Sequence, residues 1–141
     1  MSRTEFAFRC GEHSLTAVSE YTYLGLVINE FLDYGITAKA VAQSASRALG
    51  LIIAKCKIIG GVSYDVFTTL YESVVSPVVE YGAVIWGTKN YTCINAVKHR
   101  AGRFFLGVGK YSPNNVVMGN MGWFPIVLKQ WKTVVAYWCR Q

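Results

Sequence analysis

The sequence predicts an α+β chain that is mostly α, with a small N-terminal antiparallel β element (a hairpin) followed by a helical bundle. Three observations predict it. Polar–apolar alternation is confined to the residues before Asp33; apolar residues recur at helical spacing beyond it; and Gly, Pro and Ser break that second part into helix-sized pieces. The corresponding division is a β element over residues 1–32 and a bundle over residues 33–141. A chain of 141 residues, 52% hydrophobic and 16% charged, can build one core. Its low charge and high apolar fraction mean that much of it is buried or that part of its surface expects a partner.

The elements follow in order. Glu5-Phe6-Ala7-Phe8-Arg9-Cys10 alternates with the period of a half-buried strand, Gly11-Glu12-His13 is a turn, and Leu15-Thr16-Ala17-Val18 is a second strand. Tyr21 to Ile28 is rich in aromatic and β-branched residues and predicts a third strand, with Gly25 marking a bulge or a close backbone approach. After Asp33, Ala38, Val41, Ala42, Ala45, Leu49, Ile52, Cys56 and Ile59 form one helical stripe. Lys39, Gln43, Ser46, Arg47, Gly50, Ala54 and Lys57 take the opposite face, and Gly60-Gly61 ends the helix. Ser63 can cap a helix through Phe67, Leu70, Tyr71 and Val74, and Pro77 starts or kinks an apolar helix to about Trp86, expected to be central in the core.

Gly87-Thr88-Lys89-Asn90 is a loop. Ile94, Val97, Ala101, Phe104 and Phe105 give another stripe, with Lys98, His99, Arg100 and Arg103 on the other sides and Lys110 beyond its Gly107-Val108-Gly109 stop. Ser112-Pro113-Asn114 resembles a helix N-cap with proline in the first turn, leading a short helix to Met121. Gly122-Trp123-Phe124-Pro125 breaks the chain before a last helix through Trp131, Val135 and Trp138; for these tryptophans and Trp86, core packing is the default.

Several chemistries find no support in the residues. A two-metal site needs converging carboxylates, whereas the eight acids are scattered and only Asp33 and Asp65 are aspartates. There is no G-x-x-x-x-G-K-[ST] run to cradle phosphates. Cys10, Cys56, Cys93 and Cys139 are too dispersed for a zinc site and read as free buried thiols. We therefore expect no catalytic residues, no metal ligands and no cofactor in this chain. The apolar run from Val74 to Trp86 is interrupted by Ser76, Pro77 and Glu80 and is too short to span a bilayer, so no membrane partner is expected.

What the sequence does offer is cations. A net charge of +6 favours a polyanionic partner. Lys39, Gln43, Arg47 and Lys57 could meet a phosphate backbone, with Ser46 and Gly50 allowing close approach; the same pattern also describes a solvated helix face. The Lys98, Arg100, Arg103 cluster is denser and is open to the same two readings.

Five segments in order resemble the reverse transcriptases of non-LTR (LINE-type, jockey-like) retrotransposons. Tyr21-Thr22-Tyr23-Leu24-Gly25-Leu26 resembles the Y-K-Y-L-G-V segment that follows the catalytic palm, and Ala45-Ser46-Arg47-Ala48-Leu49-Gly50 resembles the helix after it. Leu70 to Trp86 is similar to L-Y-x-x-x-V-x-P-x-x-x-Y-G-x-x-x-W, and Val97 to Val108 to V-Q-R-R-A-x-R-x-x-L-G-V, with Lys98-His99-Arg100 in place of Gln-Arg-Arg. Ser112-Pro113-Asn114 through Ile126 resembles T-P-N…L-G-W-L-P-I, without the usual acid before Leu-Gly-Trp.

The resemblance implies that Tyr23, Leu24 and Gly25 form a primer-grip hairpin at the palm edge. It implies that the helices act as the thumb and its extension, holding an RNA or RNA–DNA hybrid template–primer. The Asp-Asp motif and its Mg²⁺ would belong to a palm upstream of this sequence, with which the chain would partner. It further implies a fragment of an RNA-directed DNA polymerase from a transposable element, inactive alone, in an intracellular, nuclear location. The alternative is a domesticated helical interaction domain without nucleic-acid activity.

Overall fold

A computed structural model describes residues 8–140. The fold is α+β and mostly α: among the described residues, two antiparallel strand pairs precede seven α-helices. The chain divides into two compact units, Met1–Tyr34 and Gly35–Gln141, each described by itself below.

In the first unit, β1 (Phe8–Cys10) pairs with β2 (His13–Leu15), and β3 (Glu20–Tyr23) with β4 (Leu26–Asn29). The Glu5–Ala7 part of the expected first strand lies outside the described residues. His13 is a strand residue rather than part of the turn, because it pairs with Cys10 across a two-residue Gly11-Glu12 connection. The second strand accordingly ends at Leu15 instead of running to Val18. The single strand expected over Tyr21–Ile28 is a hairpin. Tyr23 pairs with Leu26, and Leu24 and Gly25 between them have φ of 48° and 81°. Positive φ at both central residues is the I′ turn whose twist matches that of paired strands. Gly25 adopts it freely, whereas Leu24 is held there at some cost.

In the second unit, α1 (Gly35–Ile59) buries Ala38, Val41, Ala42, Ala45, Leu49, Ile52 and Cys56, the stripe read from periodicity. Ile59 departs from it and is exposed, because the helix terminates there. The buried alanines let α5 (Thr92–Leu106) and the segment from Tyr71 to Glu80 pack closely against α1. α2 (Tyr64–Leu70) begins after Ser63, whose carbonyl accepts from Phe67 N (3.0 Å) but whose hydroxyl makes no cap bond.

A π-helical turn, Tyr71–Val75, joins α2 to α3 (Ser76–Glu80). Its cause is Pro77, which has no N–H for the Ser73 carbonyl one turn back and whose ring would strike it. The wider turn relieves both, and Ser73 Oγ donates to Thr69 O at 2.7 Å. The helix expected over Pro77–Trp86 is in fact two. Gly82, at φ 65°, breaks it, and α4 (Ala83–Trp86) starts afresh with the Trp86 indole N–H donating to Tyr81 O at 2.9 Å. Val79, Ala83 and Trp86 are core, while Tyr81 and Ile85 are exposed, so the segment is not buried on every side.

α6 (Asn114–Met121) starts one residue later than a Ser112 cap with Pro113 in the helix would give, since Pro113 is extended at ψ 132°. α7 (Ile126–Trp138) buries Ile126, Gln130 and Val134. Leu128, Trp131, Val135 and Trp138 lie outward, contrary to the expectation that Trp131 and Trp138 are core. Phe67 stacks on Phe105 with ring centres 5.1 Å apart, and Tyr71 on Trp123 at 4.6 Å, so the core between α2, α5 and the 122–125 loop is largely aromatic. All four cysteines are free; Cys56 is buried as expected, but Cys10 and Cys139 are exposed.

Candidate functional site

Charge is distributed unevenly along the sequence. Residues 35–141 hold twelve of the fourteen Lys and Arg and three of the eight acids, a formal excess of nine; residues 1–34 hold two cations and five acids. Two of the three acids in the helical unit are engaged. Lys129 bonds Glu72 and reaches Glu80 Oε1 at 2.8 Å. Burial alone would lower the Lys129 pKa; the hydrogen bonds and charges of the two glutamates outweigh it and raise it.

On α1, Lys39, Gln43, Arg47 and Lys57 are all exposed on one side. Lys57 follows Lys39 by eighteen residues, five full turns, so they are about 27 Å apart along the same line. α5 lies beside this row. Arg100 donates from one guanidinium nitrogen to Ser46 Oγ at 2.9 Å, which draws its charge to the α1 face. Further along, α1 and α5 enclose an open cleft of about 540 Å³. Lys57, Arg100, Arg103 and Lys110 supply its cations, Ile53, Phe104 and Val108 its apolar wall, and no acid lines it.

Arg103 is the most fixed of these. It donates to Ser112 O at 3.1 Å and to Asn114 Oδ1, tying α5 to the loop that leads into α6. A guanidinium held by neutral acceptors keeps its charge unneutralised. The structure thus brings Lys57, Arg100 and Arg103 together in one cleft, while Lys39, Gln43 and Arg47 are exposed along α1 outside it.

Lys98 does not join them. It is only 9% exposed; its ammonium donates to Phe124 O and sits 5.5 Å from the Trp123 ring centre. Two residues apart on the helix, Lys98 and Arg100 point about 160° away from each other, so Lys98 meets the 122–125 loop instead. Burial lowers its pKa, Lys129 adds to that, and Glu72 and Glu80 oppose it. His99, next to it, also has a lowered pKa, from burial first and then from Arg103 and Lys98. It therefore carries less charge near neutral pH than a free imidazole would.

Tyr23, Leu24 and Gly25 form the tip of the second hairpin in the other unit, with the Tyr23 and Leu24 side chains exposed. Sequence reasoning left Lys110 at the margin and missed Tyr111. The available signal was an aromatic beside a lysine inside Gly109-Lys110-Tyr111-Ser112-Pro113, a loop composition with no core to fill.

No family model, curated protein or solved structure matches the chain in the comparisons. Among the described residues, no His, Cys, Asp and Glu group three or more together in a way that could hold a metal ion, and no helix is long and apolar enough to cross a membrane.

Proposed function

We propose that this chain is the duplex-holding portion of a reverse transcriptase of the non-LTR retrotransposon type, with the catalytic aspartates and their Mg²⁺ lying outside it. The observation that carries the reading is the acid-free row of cations along α1 and α5, from Lys39 through Arg47 to the cleft of Lys57, Arg100, Arg103 and Lys110. Such a row meets a sugar–phosphate backbone by charge and shape, without reading sequence. The five ordered segment resemblances supply the class of polymerase, and with it the RNA or RNA–DNA hybrid template–primer and the nuclear location. In this reading the Tyr23–Gly25 hairpin is the primer grip.

The experiment is a salt titration of the full chain binding a blunt RNA–DNA hybrid. Binding should weaken as a power of salt concentration, with a log–log slope of roughly −3 to −4 for the four cleft cations. Absence of binding at low salt would defeat the reading.

One observation favours a second reading, a helical interaction domain. Leu128, Trp131, Val135 and Trp138 repeat at helical spacing on the outer side of α7 and are all exposed. Monomeric proteins rarely leave such a stripe to water. If it is the functional surface, Trp131→Ser should change association state while leaving hybrid binding alone.

A further inference from the structure

The residue that follows the cleft-lining Lys110 in the chain is one for which a duplex has no use. Tyr111 is 95% exposed, the highest exposure among the large apolar and aromatic side chains of the described residues. Its position is nevertheless well defined. Ser112 N donates to Gly109 O at 3.1 Å, closing a four-residue turn with Lys110 and Tyr111 at its corners. Arg103 clamps that turn from below through Ser112 O and Asn114 Oδ1. Lys110 on one side of Tyr111 lines the cleft, and Ser112 on the other receives a cleft guanidinium. The phenol ring is thus presented to solvent on a braced corner, between one residue that lines the cleft, Lys110, and one that binds a cleft guanidinium, Ser112.

We propose that Tyr111 stacks on the first unpaired base beyond a duplex whose phosphates lie in the Lys57–Arg100–Arg103–Lys110 cleft, so that the site takes the junction between duplex and single strand. This rests on the reading that the helical unit binds nucleic acid and adds which part of it is taken here. In a duplex both faces of each internal base are covered by its neighbours, so an isolated tyrosine gains nothing. An unpaired base has a free π-face, and every base has one, so stacking there is independent of sequence. The adjacent phosphates supply the charge complement, which Lys57, Arg100, Arg103 and Lys110 meet without a nearby acid to compete. Arg103 acts as a positioning residue as well: the bonds that hold the turn also fix its own guanidinium at the cleft wall.

The test measures the affinity of the full chain for two probes, a blunt RNA–DNA hybrid and the same hybrid carrying a short single-stranded extension. We expect the extension to tighten binding about tenfold. Tyr111→Ala should abolish that gain and leave blunt-hybrid affinity unchanged, and Tyr111→Phe should retain it; because the ring touches so little, neither change threatens folding. Equal affinity for the two probes, or an extension gain that survives Tyr111→Ala, would overturn the proposal while leaving duplex binding standing. Failure of both probes at low salt would overturn the duplex reading and this proposal together.

Discussion

Lys98 shows how a residue's environment, rather than its type, sets its role. Its ammonium is held inside by Phe124 O and the Trp123 face, and burial disfavours its charge. The folded pKa therefore lies below 10.5, while the unfolded chain keeps its proton up to about that value. In the interval between them the unfolded state binds more protons, so stability should rise with pH there. Lys98→Met keeps the buried stem and removes the titration. Urea denaturation at neutral pH and at about pH 10 should show the wild type gaining on Lys98→Met at the higher pH; a difference that does not change with pH would contradict the burial account. His99 predicts the same sign in the interval below 6.5, where His99→Gln should flatten the stability curve.

At the scale of elements, two glycines in helix interiors should behave oppositely. A Cβ on Gly102 would lie 2.9 Å from Val117 Cγ1 and Met118 Cε, so α5 and α6 would have to separate. Gly102→Ala should therefore cost about 1–2 kcal/mol despite alanine's better helix propensity. Gly50, in the middle of α1, has nothing within 4 Å of the same position, and Gly50→Ala should stabilise by about 0.5–1 kcal/mol. Chemical denaturation of both variants checks the pair, and equal shifts would sink the packing argument.

The same scale explains what could be read from the sequence. The α1 stripe from Ala38 to Cys56 was legible because a long helix averages its pattern over many turns. The Tyr21–Ile28 hairpin was not legible from residue type, since a leucine at φ 48° is unusual and the run is apolar and β-branched on both sides of it. The break at Gly82 was hidden because apolar residues continue on both sides of it. The outward turn of Trp131 and Trp138 was hidden because periodicity gives a stripe but not which side of a helix meets the core. Of the candidate site, the α1 cations were legible as a face; the cleft was not, because it depends on α5 lying against Ser46, which no local pattern encodes. Lys98 was misplaced for a related reason: its neighbours in sequence are cationic, but its neighbours in space are Trp123 and Phe124.

Across the whole molecule, the sign of charge divides with the units, a formal excess of nine cations in the helical part and of three acids in residues 1–34. A polyanion should therefore bind the helical part. Excess charge alone would attract it weakly and anywhere, whereas the account requires attraction concentrated on the α1–α5 face. Two pairs of exposed cations separate these. Lys57 and Arg100 flank the cleft; Lys132 and Arg140 lie by α7 around a different cavity. The most direct measurement compares hybrid binding by the double variants Lys57→Ser/Arg100→Ser and Lys132→Ser/Arg140→Ser across a salt series. The first should lose at least about tenfold in affinity at roughly 100 mM salt and flatten the log–log slope by nearly two, while the second stays close to the wild type. Equal losses from the two pairs would contradict the account.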